Sequence, residues 1–412
     1  MNEQNTGQAS PAGGGLKDKA ALGKLSFDNT QVAFSPKSDA ELFRAYILFS
    51  TMNKPWLVGM GTKMIRAGLS MKLPIKGLIK PTLFGQFCGG ESIEDCEPTI
   101  QKLEGYGVGT ILDYSVEGAS SEKGFEETAE ELLATIRKSK GREGIPFCVF
   151  KVTGIAPTPV LEKVHAGAGL TGEEANAWNR VQERVDQLCR TAYDQDVRIF
   201  IDAEESWIQD TIDELAERMM RQYNQEKAIV YNTYQLYLKS KLPQLKADYE
   251  KALEEGYFLG AKLVRGAYME KERERARVKG YESPVQPDKE ATDRDFNAAM
   301  EFCLPRHERI AVCAGTHNEE SSLLLARLME EAGIPQDSPS FFFAQLYGMS
   351  DHISYNLANA GYNVAKYVPY GPVASVMPYL FRRADENTSI SGQSSREFRL
   401  IEEEVKRRKF RG

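Results

Sequence analysis

From residue 108 onward, short apolar runs alternate with longer segments whose apolar positions recur every three or four residues. The short runs are rich in Val, Ile, Phe and Tyr and are typical of β-strands, whereas the longer segments have the period of amphipathic helices. The predicted strands are VGTILDY (108–114), FCVFKV (147–152), VRIFID (197–202), AIVY (228–231), FLGAKLVR (258–265), RIAVCA (309–314), SFFFAQL (340–346) and NVAKYV (363–368).

Eight strand–helix units predict an α/β fold, and eight parallel strands are the number that closes a TIM-type (βα)8 barrel. We therefore predict a (βα)8 barrel over residues 105–394. An open, doubly wound sheet is the alternative. It is disfavoured because no Gly-rich phosphate turn follows the first strand.

Three segments flank the predicted barrel. Residues 1–15 are polar and rich in Gly, Pro and Ser, which predicts a disordered tail, and residues 16–104 predict an N-terminal helical arm. Residues 395–412 predict a charged C-terminal helix with a basic end. A solvated helix is the expected state, and transient contact with anionic lipid is the alternative.

One glycine pattern matches the dinucleotide fingerprint GxGxxG, at Gly167, Gly169 and Gly172. It follows a helix-like segment rather than a strand, so it lacks the context that a dinucleotide site requires. Thr171 and Glu174 instead predict a capping box that opens the next helix.

Composition and charge narrow the classes of function. The 412 residues carry 52 basic and 59 acidic side chains, and this net charge of −7 gives no reason to expect nucleic-acid binding. The six cysteines form no CxxC and the histidines have no paired-ligand spacing, so we expect free thiols, a reducing compartment and no metal site. No apolar run approaches the ~20 residues of a transmembrane helix, and the N-terminus has no signal peptide. These features predict a cytoplasmic protein.

Polar or charged residues end nearly every predicted strand. The C-terminal ends of barrel strands meet at one face, where catalytic groups of this fold gather. A single such residue would be interpreted as a solvated strand end, but the convergence indicates a site with charges of both signs, suited to a zwitterion. The candidates are Asp113, Lys151, Asp202, Asn232, Arg265, Tyr268, Thr316, His317, Asn318, Leu346 and Tyr367.

The stretch YVPYGPVASVMPYLFRRADEN, residues 367–387, predicts a turn and then a helix. Tyr379, Arg382, Arg383 and Glu386 lie three or four residues apart and share one face of this helix. Adjacent arginines suit bidentate binding of a carboxylate or phosphate. A surface helix with an Arg–Glu pair is the alternative, and the position after the last strand favours the binding site.

These motifs, in this order, resemble the proline dehydrogenase family. The resemblance covers roughly residues 108–390 and is carried by FKVTG, IDAEE, YNTYQ, LVRGAY, GTHN, QLYGM and Y-x2-YG-x7-YL-x-RRxxEN. It implies a distorted (βα)8 barrel that binds FAD without a Rossmann motif. The chain looks like the monofunctional form, in which a separate pyrroline-5-carboxylate dehydrogenase acts downstream.

The resemblance also implies roles for individual residues. Arg382 and Arg383 would bind the proline carboxylate, supported by Lys151, Glu386 and Asp113. Asp202 would lie beside flavin and substrate, and the pyrrolidine ring would be enclosed by Leu263, Tyr268, Leu346, Tyr367 and Tyr379. Contacts to FAD would come from Asn232, Lys262, Arg265, Gly266, Ala267, Thr316, His317 and Asn318.

The implied reaction oxidises L-proline to Δ1-pyrroline-5-carboxylate, with hydride passing from ring C5 to flavin N5 and electrons then passing to a membrane quinone. Peripheral contact with the inner face of the membrane would follow from such an acceptor. Tyr367 favours proline over hydroxyproline, because its ring and hydroxyl would fill the space of a 4-hydroxyl. Two alternatives stay open: a flavin dehydrogenase of hydroxyproline or another cyclic amino acid, and a barrel that serves only as a binding module.

Overall fold

The computed structural model describes residues 25–52, 80–116, 120–389 and 393–409, without the side chains of residues 81, 383–389 and 393–395. The predicted disordered tail and the parts of the predicted helical arm at residues 16–24 and 53–79 lie outside the described residues.

Eight parallel strands close into one barrel, as the sequence predicts. β1 and β8 close it, in register from Val108 opposite Val364 to Tyr114 opposite Tyr370. The strand ends lie within two residues of the predicted ones except in β4, which begins two residues later and ends four residues later. The strands are β1 (Val108–Tyr114), β2 (Phe147–Lys151), β3 (Arg198–Asp202), β4 (Val230–Gln235), β5 (Leu259–Val264), β6 (Ile310–Gly315), β7 (Phe341–Leu346) and β8 (Val364–Tyr370).

Alternate residues of each strand point into the barrel, and the inner ones at its N-terminal end form an aromatic core. Phe147 stacks on Phe200 with ring centroids 4.3 Å apart, and Tyr231 and Phe342 meet Phe147 edge-on. Outward residues pack against the surrounding helices in the largest apolar cluster. These side chains fill the N-terminal half of the barrel interior. The inward polar residues therefore lie at its C-terminal end, the barrel mouth.

Helices follow the strands and cover the barrel. They are α5 (Glu122–Ser139), α6 (Thr158–His165), α7 (Gly172–Asp194), α8 (Ser206–Tyr223), α9 (Lys241–Glu255), α10 (Met269–Lys279), α11 (Lys289–Cys303), α12 (Glu319–Glu331), α13 (Asp351–Asn359) and α14 (Val373–Ser389). α7 begins with the predicted capping box, because the side chains of Thr171 and Glu174 each accept the other's backbone N–H, at 3.3 and 2.9 Å. The GxGxxG pattern is therefore the start of a helix.

The N-terminal helices and the last helix of the chain pack against each other. Before the barrel lie α1 (Thr30–Ala33), α2 (Asp39–Met52), α3 (Gly85–Phe87) and α4 (Glu97–Glu104), and the chain ends in α15 (Gln393–Lys409). Phe34, Leu42 and Phe49 share one apolar cluster with Leu400 and Ile401 of α15. α15 therefore rests on the N-terminal arm.

The basic end of α15 is partly neutralised by the protein itself. Arg407 and Arg408 donate to Glu404 at 2.6 and 2.8 Å, and Arg408 also binds Asp39 at 2.8 Å and the carbonyls of Phe34 and Lys37. Lys406 Nζ also lies 3.5 Å from Glu402 Oε1, so three of the four basic residues in the last turn have an acidic partner on the protein.

A buried carboxylate joins the arm, α13 and β8. Asp351 Oδ atoms lie 2.8 Å from Lys366 Nζ and 3.1 Å from Lys37 Nζ. Burial opposes ionisation of Asp351, but the two ammonium groups outweigh it and lower its pKa below the ordinary value. The N-terminal arm is therefore attached to the barrel by an ionic contact as well as by apolar packing.

All six cysteines are buried and free, as expected from their spacing. Burial raises the pKa of Cys148 and of Cys313 to about 12. Among the described residues, no helix combines the length and apolarity that crossing a bilayer requires.

We expect Asp351→Asn to lower the free energy of unfolding by about 3 kcal/mol at pH 7, because two largely buried ammonium groups lose their counter-ion. The folded-state pKa of Asp351 is depressed, so this contribution is complete above the unfolded pKa and is lost as pH falls through the acid range. Urea titrations at several pH values measure it. The exposed Asp337→Asn is the control, and equal values for both variants would contradict the prediction.

Candidate active site

The inward residues at the C-terminal ends of five strands meet at the barrel mouth. β1, β2, β3, β5 and β8 contribute Asp113, Lys151, Asp202, Lys262 and Tyr367. The register of the barrel aligns them, with Lys151 directly opposite Asp202 on the neighbouring strand. Charged side chains that lie 38 to 60 residues apart in the sequence are thereby brought close together, as the analysis of strand ends predicts.

Lys151 lies between two carboxylates. Its Nζ is 3.9 Å from Asp113 Oδ1 and 3.5 Å from Asp202 Oδ2, and Ser115 Oγ donates to Asp113 Oδ2 at 2.8 Å. Burial disfavours the ammonium, but the two carboxylates outweigh burial and raise the pKa of Lys151 above its ordinary value. Lys151 is therefore a fixed positive charge.

Lys262 binds the other oxygen of Asp202. Its Nζ donates to Asp202 Oδ1 and to the Tyr367 hydroxyl, and it lies 4.4 Å from the Tyr367 ring centroid. Burial raises the pKa of Asp202, but Lys262 and Lys151 outweigh burial and lower it. Burial and the Asp202 charge raise the pKa of Tyr367 well above its ordinary value. Asp202 is thus an ionised bridge between two cations, and Tyr367 keeps its proton.

Helix α14 provides the apolar side of the site. The predicted apolar stripe is present, since Val373, Val376 and Leu380 are fully buried. They form a cluster with Tyr379, and Leu346 contacts both this cluster and the inner barrel cluster. α14 is therefore joined to the barrel mouth through Leu346.

The RRxxE motif lies on α14, as predicted. Arg382 is on the exposed side of the helix, and the side chains of Arg383 and Glu386 lie outside the described residues. Tyr268 precedes α10, where burial and the nearby Glu204 carboxylate raise the pKa of its phenol. Tyr268 is thus close to the charges of the mouth.

Arg265 follows β5 and connects the ends of two strands to two helices. Its Nε donates to Asp293 at 2.6 Å, Nη1 to Thr316 Oγ1 at 2.6 Å, and Nη2 to Ser321 Oγ at 2.9 Å. Asn318 caps α12 by accepting Ser321 N–H at 2.9 Å, and its own N–H donates to Thr316 Oγ1. A guanidinium and a capped helix N-terminus therefore share one network.

Both ring nitrogens of His317 form hydrogen bonds. Leu346 N–H donates to Nε2 at 3.4 Å, and Nδ1 lies 2.8 Å from Ser350 Oγ. Because Nε2 accepts, Nδ1 carries the proton and donates to Ser350. His317 thus ties the two ends of the loop between β7 and α13, a position that favours a holding role over a general base.

Gly266 permits the ring of Tyr237 to lie close against its backbone. Its φ is +129°, and a Cβ atom there would lie 1.7 Å from the ring of Tyr237. A side chain at this position is excluded by both conformation and space. The neighbouring Ala267 is exposed beside it.

The strand-end position predicted for Asn232 is wrong. β4 continues to Gln235, so Asn232 lies within the strand rather than at its end, and its side chain faces outward. There it donates to Asp213 Oδ1 of α8 at 2.9 Å, on the wall of an outer cavity of about 190 Å³. Gln235, which donates to the Glu204 carbonyl at 2.7 Å, occupies the true end of the strand.

Leu263 lies away from the position that its predicted role in enclosing the ring would require. It follows the inward Lys262, so strand alternation turns it outward into the layer between barrel and helices, where it is fully buried. It does not line the mouth.

Sequence reasoning missed Glu204. This carboxylate accepts Thr153 N–H at 3.0 Å and the Thr153 hydroxyl, and it is 3 % exposed. Burial raises its pKa to about 7, although Thr153 and Lys151 oppose the shift. Its spacing of two from Asp202 within IDAEE was the available signal.

The donor set around Arg265 suits an anionic group. Arg265, Thr316, His317 and Asn318 offer a guanidinium, a hydroxyl, an imidazole and a helix N-terminus. In the part of the chain that the structure describes, no group of three or more His, Cys, Asp or Glu residues could bind a metal ion.

A larger cavity lies at the opposite end of the barrel. It has a volume of about 660 Å³ and is lined by the β-strand starts, including Val108, Arg198 and Val364. None of the predicted site residues lines it.

Comparison with known proteins gives a consistent result. The sequence model of the family described as Proline dehydrogenase matches residues 96–396. The chain is 32% identical to proline dehydrogenase 1, mitochondrial, of Dictyostelium discoideum, over 94% of this chain and 76% of the relative. It is 33% identical to the hydroxyproline dehydrogenase of Xenopus laevis, over 95% of this chain and 91% of the relative.

The fold is similar to that of a much longer protein. Proline utilization A (PutA) from Bdellovibrio bacteriovorus matches with a TM-score of 0.68 and 20% identity, covering 89% of this chain and 37% of that one. At this identity the match shows the barrel fold, and the chain spans little more than a third of PutA.

We expect Glu204→Gln to gain stability relative to wild type as pH rises. Folded Glu204 has a pKa of about 7 against an ordinary 4.5, so the folded state binds more protons and wild-type stability falls between these values. A glutamine at this position can accept the Thr153 N–H and donate to the Thr153 hydroxyl, and it does not ionise, so its stability does not fall over this pH range. The unfolding free energy of Glu204→Gln minus that of wild type should rise by on the order of 2 kcal/mol from pH 5 to pH 8.

Urea titrations at the two pH values test this, with the exposed Glu214→Gln as control. A difference between wild type and Glu204→Gln that does not change with pH would contradict the assignment of the raised pKa.

Proposed function

Because this chain belongs to the proline dehydrogenase family of oxidoreductases, we propose that it oxidises L-proline to Δ1-pyrroline-5-carboxylate with bound FAD. The observation that carries the proposal is the linked set of charges at the mouth, where Asp113 and Asp202 alternate with Lys151 and Lys262. Such a set remains paired without substrate and suits a zwitterion.

In this proposal the substrate lies between the mouth and α14. Arg382 and Arg383 bind the carboxylate, while Lys151 and Asp113 balance the charge beneath it. The bidentate geometry of arginine favours a carboxylate over other anions. Glu386 supports the arginines from one turn further along the helix.

The apolar faces of the site orient the ring. Leu346, Tyr379 and Tyr367 lie at the junction of the inner barrel cluster and the α14 cluster, with Tyr268 at the edge. Tyr367 is fixed by Lys262, which holds its hydroxyl. Such positioning can contribute roughly 7–11 kcal/mol to lowering the barrier.

Arg265, Thr316, His317 and Asn318 would hold FAD, with Gly266 and Ala267 allowing a close approach of the backbone. The donor set fits a diphosphate, whereas Asn232 is directed away from it. When bound, FAD supplies the hydride acceptor, at N5, for the hydrogen on substrate C5. Asp202 stays ionised next to this position because both lysines contact it.

The electrons are proposed to pass to a membrane quinone, and a separate pyrroline-5-carboxylate dehydrogenase would use the product. The protein would then be cytoplasmic, with peripheral contact at the inner face of the membrane. Lys406 and Lys409, in the last turn of α15, are exposed and could meet anionic lipid, whereas Arg407 and Arg408 are held more closely by the protein.

A flavin dehydrogenase of hydroxyproline is the second candidate, favoured by the similarity to the Xenopus laevis relative over nearly the full chain. Tyr367 is the discriminating residue. Its hydroxyl is held by Lys262 and faces Asp202 at 3.4 Å, so it would occupy the space that a 4-hydroxyl requires.

We expect L-proline to bleach the visible flavin band when it is mixed anaerobically with the purified protein. Arg382→Met and Arg383→Met should each raise the proline concentration needed for half-maximal bleaching by at least about tenfold, because a charge-assisted hydrogen bond contributes roughly 1.5–3 kcal/mol. Arg327→Met, on the exposed side of α12, is the matched control.

Three outcomes would contradict the proposal. Faster bleaching by trans-4-hydroxyproline than by proline would favour the second candidate. A flavin band that neither compound bleaches would remove the substrate assignment, and a protein that binds no FAD would remove the enzyme assignment.

We expect Lys406→Glu/Lys409→Glu to weaken binding to vesicles that contain phosphatidylglycerol by tenfold or more, because each basic residue near an anionic surface contributes about 1 kcal/mol. Co-sedimentation measures this, with the exposed Lys123→Glu of α5 as control. Substitution is preferable to deletion of α15, which would uncover Phe34 and Phe49. Equal sedimentation of all three proteins would exclude lipid contact through this helix.

A further inference from the structure

The larger cavity, at the N-terminal end of the barrel, contains a positive charge that the proposed function does not use. Its volume of about 660 Å³ is within the range of pockets that bind small molecules. Arg198 is the first residue of β3 and lines this cavity. Strand alternation places Arg198 on the inner side of the barrel, together with Phe200 and Asp202 of the same strand. The charge therefore lies inside the barrel opening.

Two aromatic rings hold the guanidinium of Arg198 in place. Its central carbon lies 5.5 Å from the ring centroid of Phe147 and 5.2 Å from that of Phe342. The two rings meet edge-on with centroids 4.8 Å apart, and Phe147 also stacks on Phe200. Contacts of this kind attract a cation without using its N–H groups. The aromatic core therefore positions the guanidinium and leaves its hydrogen-bond donors for another partner.

Among the residues that the structure describes, Arg198 has neither an acidic partner nor a hydrogen-bond acceptor. The two other basic residues that line the cavity differ in this respect. Arg142 donates to both carboxylate oxygens of Glu97 at 2.9 and 2.8 Å, and Lys227 Nζ lies 2.5 Å from Asp196 Oδ1. A half-buried charge is stabilised by an opposite charge, so the unused donors of Arg198 favour binding of an anion.

The rest of the lining indicates the kind of anion. Three exposed acidic residues also line the cavity, namely Glu104, Glu143 and Asp196. Several carboxylates beside one unpaired guanidinium would repel a polyanion such as a nucleotide. The apolar lining residues are Val108, Ile145, Pro146, Val197, Ile229, Phe342 and Val364. A single carboxylate on an apolar body therefore fits both the charge and the walls of the cavity.

We propose that this cavity binds a monocarboxylate with an aliphatic or aromatic body, whose carboxylate accepts two N–H groups of Arg198. The body of the ligand lies against Phe342 and the apolar starts of β1 and β8. The site is separate from the barrel mouth, because the stacked rings of Phe147, Phe200 and Tyr367 lie between the two. The inference therefore goes beyond the proposed function and does not depend on it.

The test uses benzoate as a probe of this ligand class and measures its binding to the full-length protein by isothermal titration calorimetry. Arg198→Met retains an unbranched side chain against the two rings and should weaken benzoate binding by at least about tenfold, because charge-assisted hydrogen bonds are lost. Arg198→Lys keeps the charge without the planar pair of donors and should give an intermediate affinity. Arg327→Met, on the exposed side of α12, is the matched control.

The arginines proposed for the mouth also attract carboxylates, so a second background separates the two sites. In Arg382→Met/Arg383→Met, benzoate should still bind, and adding Arg198→Met should remove this binding. Benzamide, the neutral analogue of benzoate, should bind to the same background at least about tenfold more weakly than benzoate, because it cannot accept charge-assisted hydrogen bonds. The comparison of the two probes requires no change at Arg198, so it tests the inference where Arg198→Met does not fold.

Four results would overturn the inference. Equal binding of benzoate to wild type and Arg198→Met would exclude Arg198 as the contact. Loss of all binding in Arg382→Met/Arg383→Met would place the ligand at the mouth. Benzamide that binds as tightly as benzoate would show an apolar pocket that does not select an anion. A wild-type protein that binds no benzoate would exclude this class of ligand.

Discussion

The ionic contact of Asp202 with Lys151 and Lys262 is the interaction on which the site depends. A barrel mouth that presents carboxylates and ammonium groups within a few ångströms of one another is stable only if each charge is compensated. Asp202 meets this condition because its Oδ2 contacts Lys151 and its Oδ1 contacts Lys262. Its ionisation fixes Lys262, Lys262 fixes the Tyr367 hydroxyl, and Lys151 extends the same compensation to Asp113. Breaking such a contact costs about 3–5 kcal/mol, so these side chains form one unit.

The period of two in a strand determines which residues join that unit. This period and the eight apolar runs were sufficient to predict the closed barrel, the inward positions of Lys151, Asp202 and Tyr367, and the helix after β8. They were insufficient where the end of a strand was misjudged. β4 extends four residues beyond its apolar run because polar Asn232 and Gln235 continue the ladder, and this shift places Asn232 on the outer face. Leu263 shows that a motif can be recognised while the direction of one side chain is missed.

Other features depend on contacts that no local pattern contains. The raised pKa of Glu204 arises from burial among β3, Thr153 and the neighbouring loops, and the sequence IDAEE does not distinguish it from the adjacent Glu205. The contact of Arg396 on α15 with Glu319 on α12 joins residues that are 77 positions apart. The left-handed backbone of Ser350 is likewise a conformation for which the sequence QLYGMS has no marker. Such tertiary constraints become visible only when helices from both ends of the chain have been placed.

The burial of every cysteine has a practical consequence for spectroscopy. None of the six thiols reaches solvent, and the raised pKa values keep them in the unreactive thiol form near neutral pH. The native protein should therefore behave toward maleimides as though it contained no cysteine. A single cysteine introduced at an exposed position of α15 would take a spin label or a fluorophore selectively. Distance measurements could then follow this helix in the intact enzyme without removal of any native side chain.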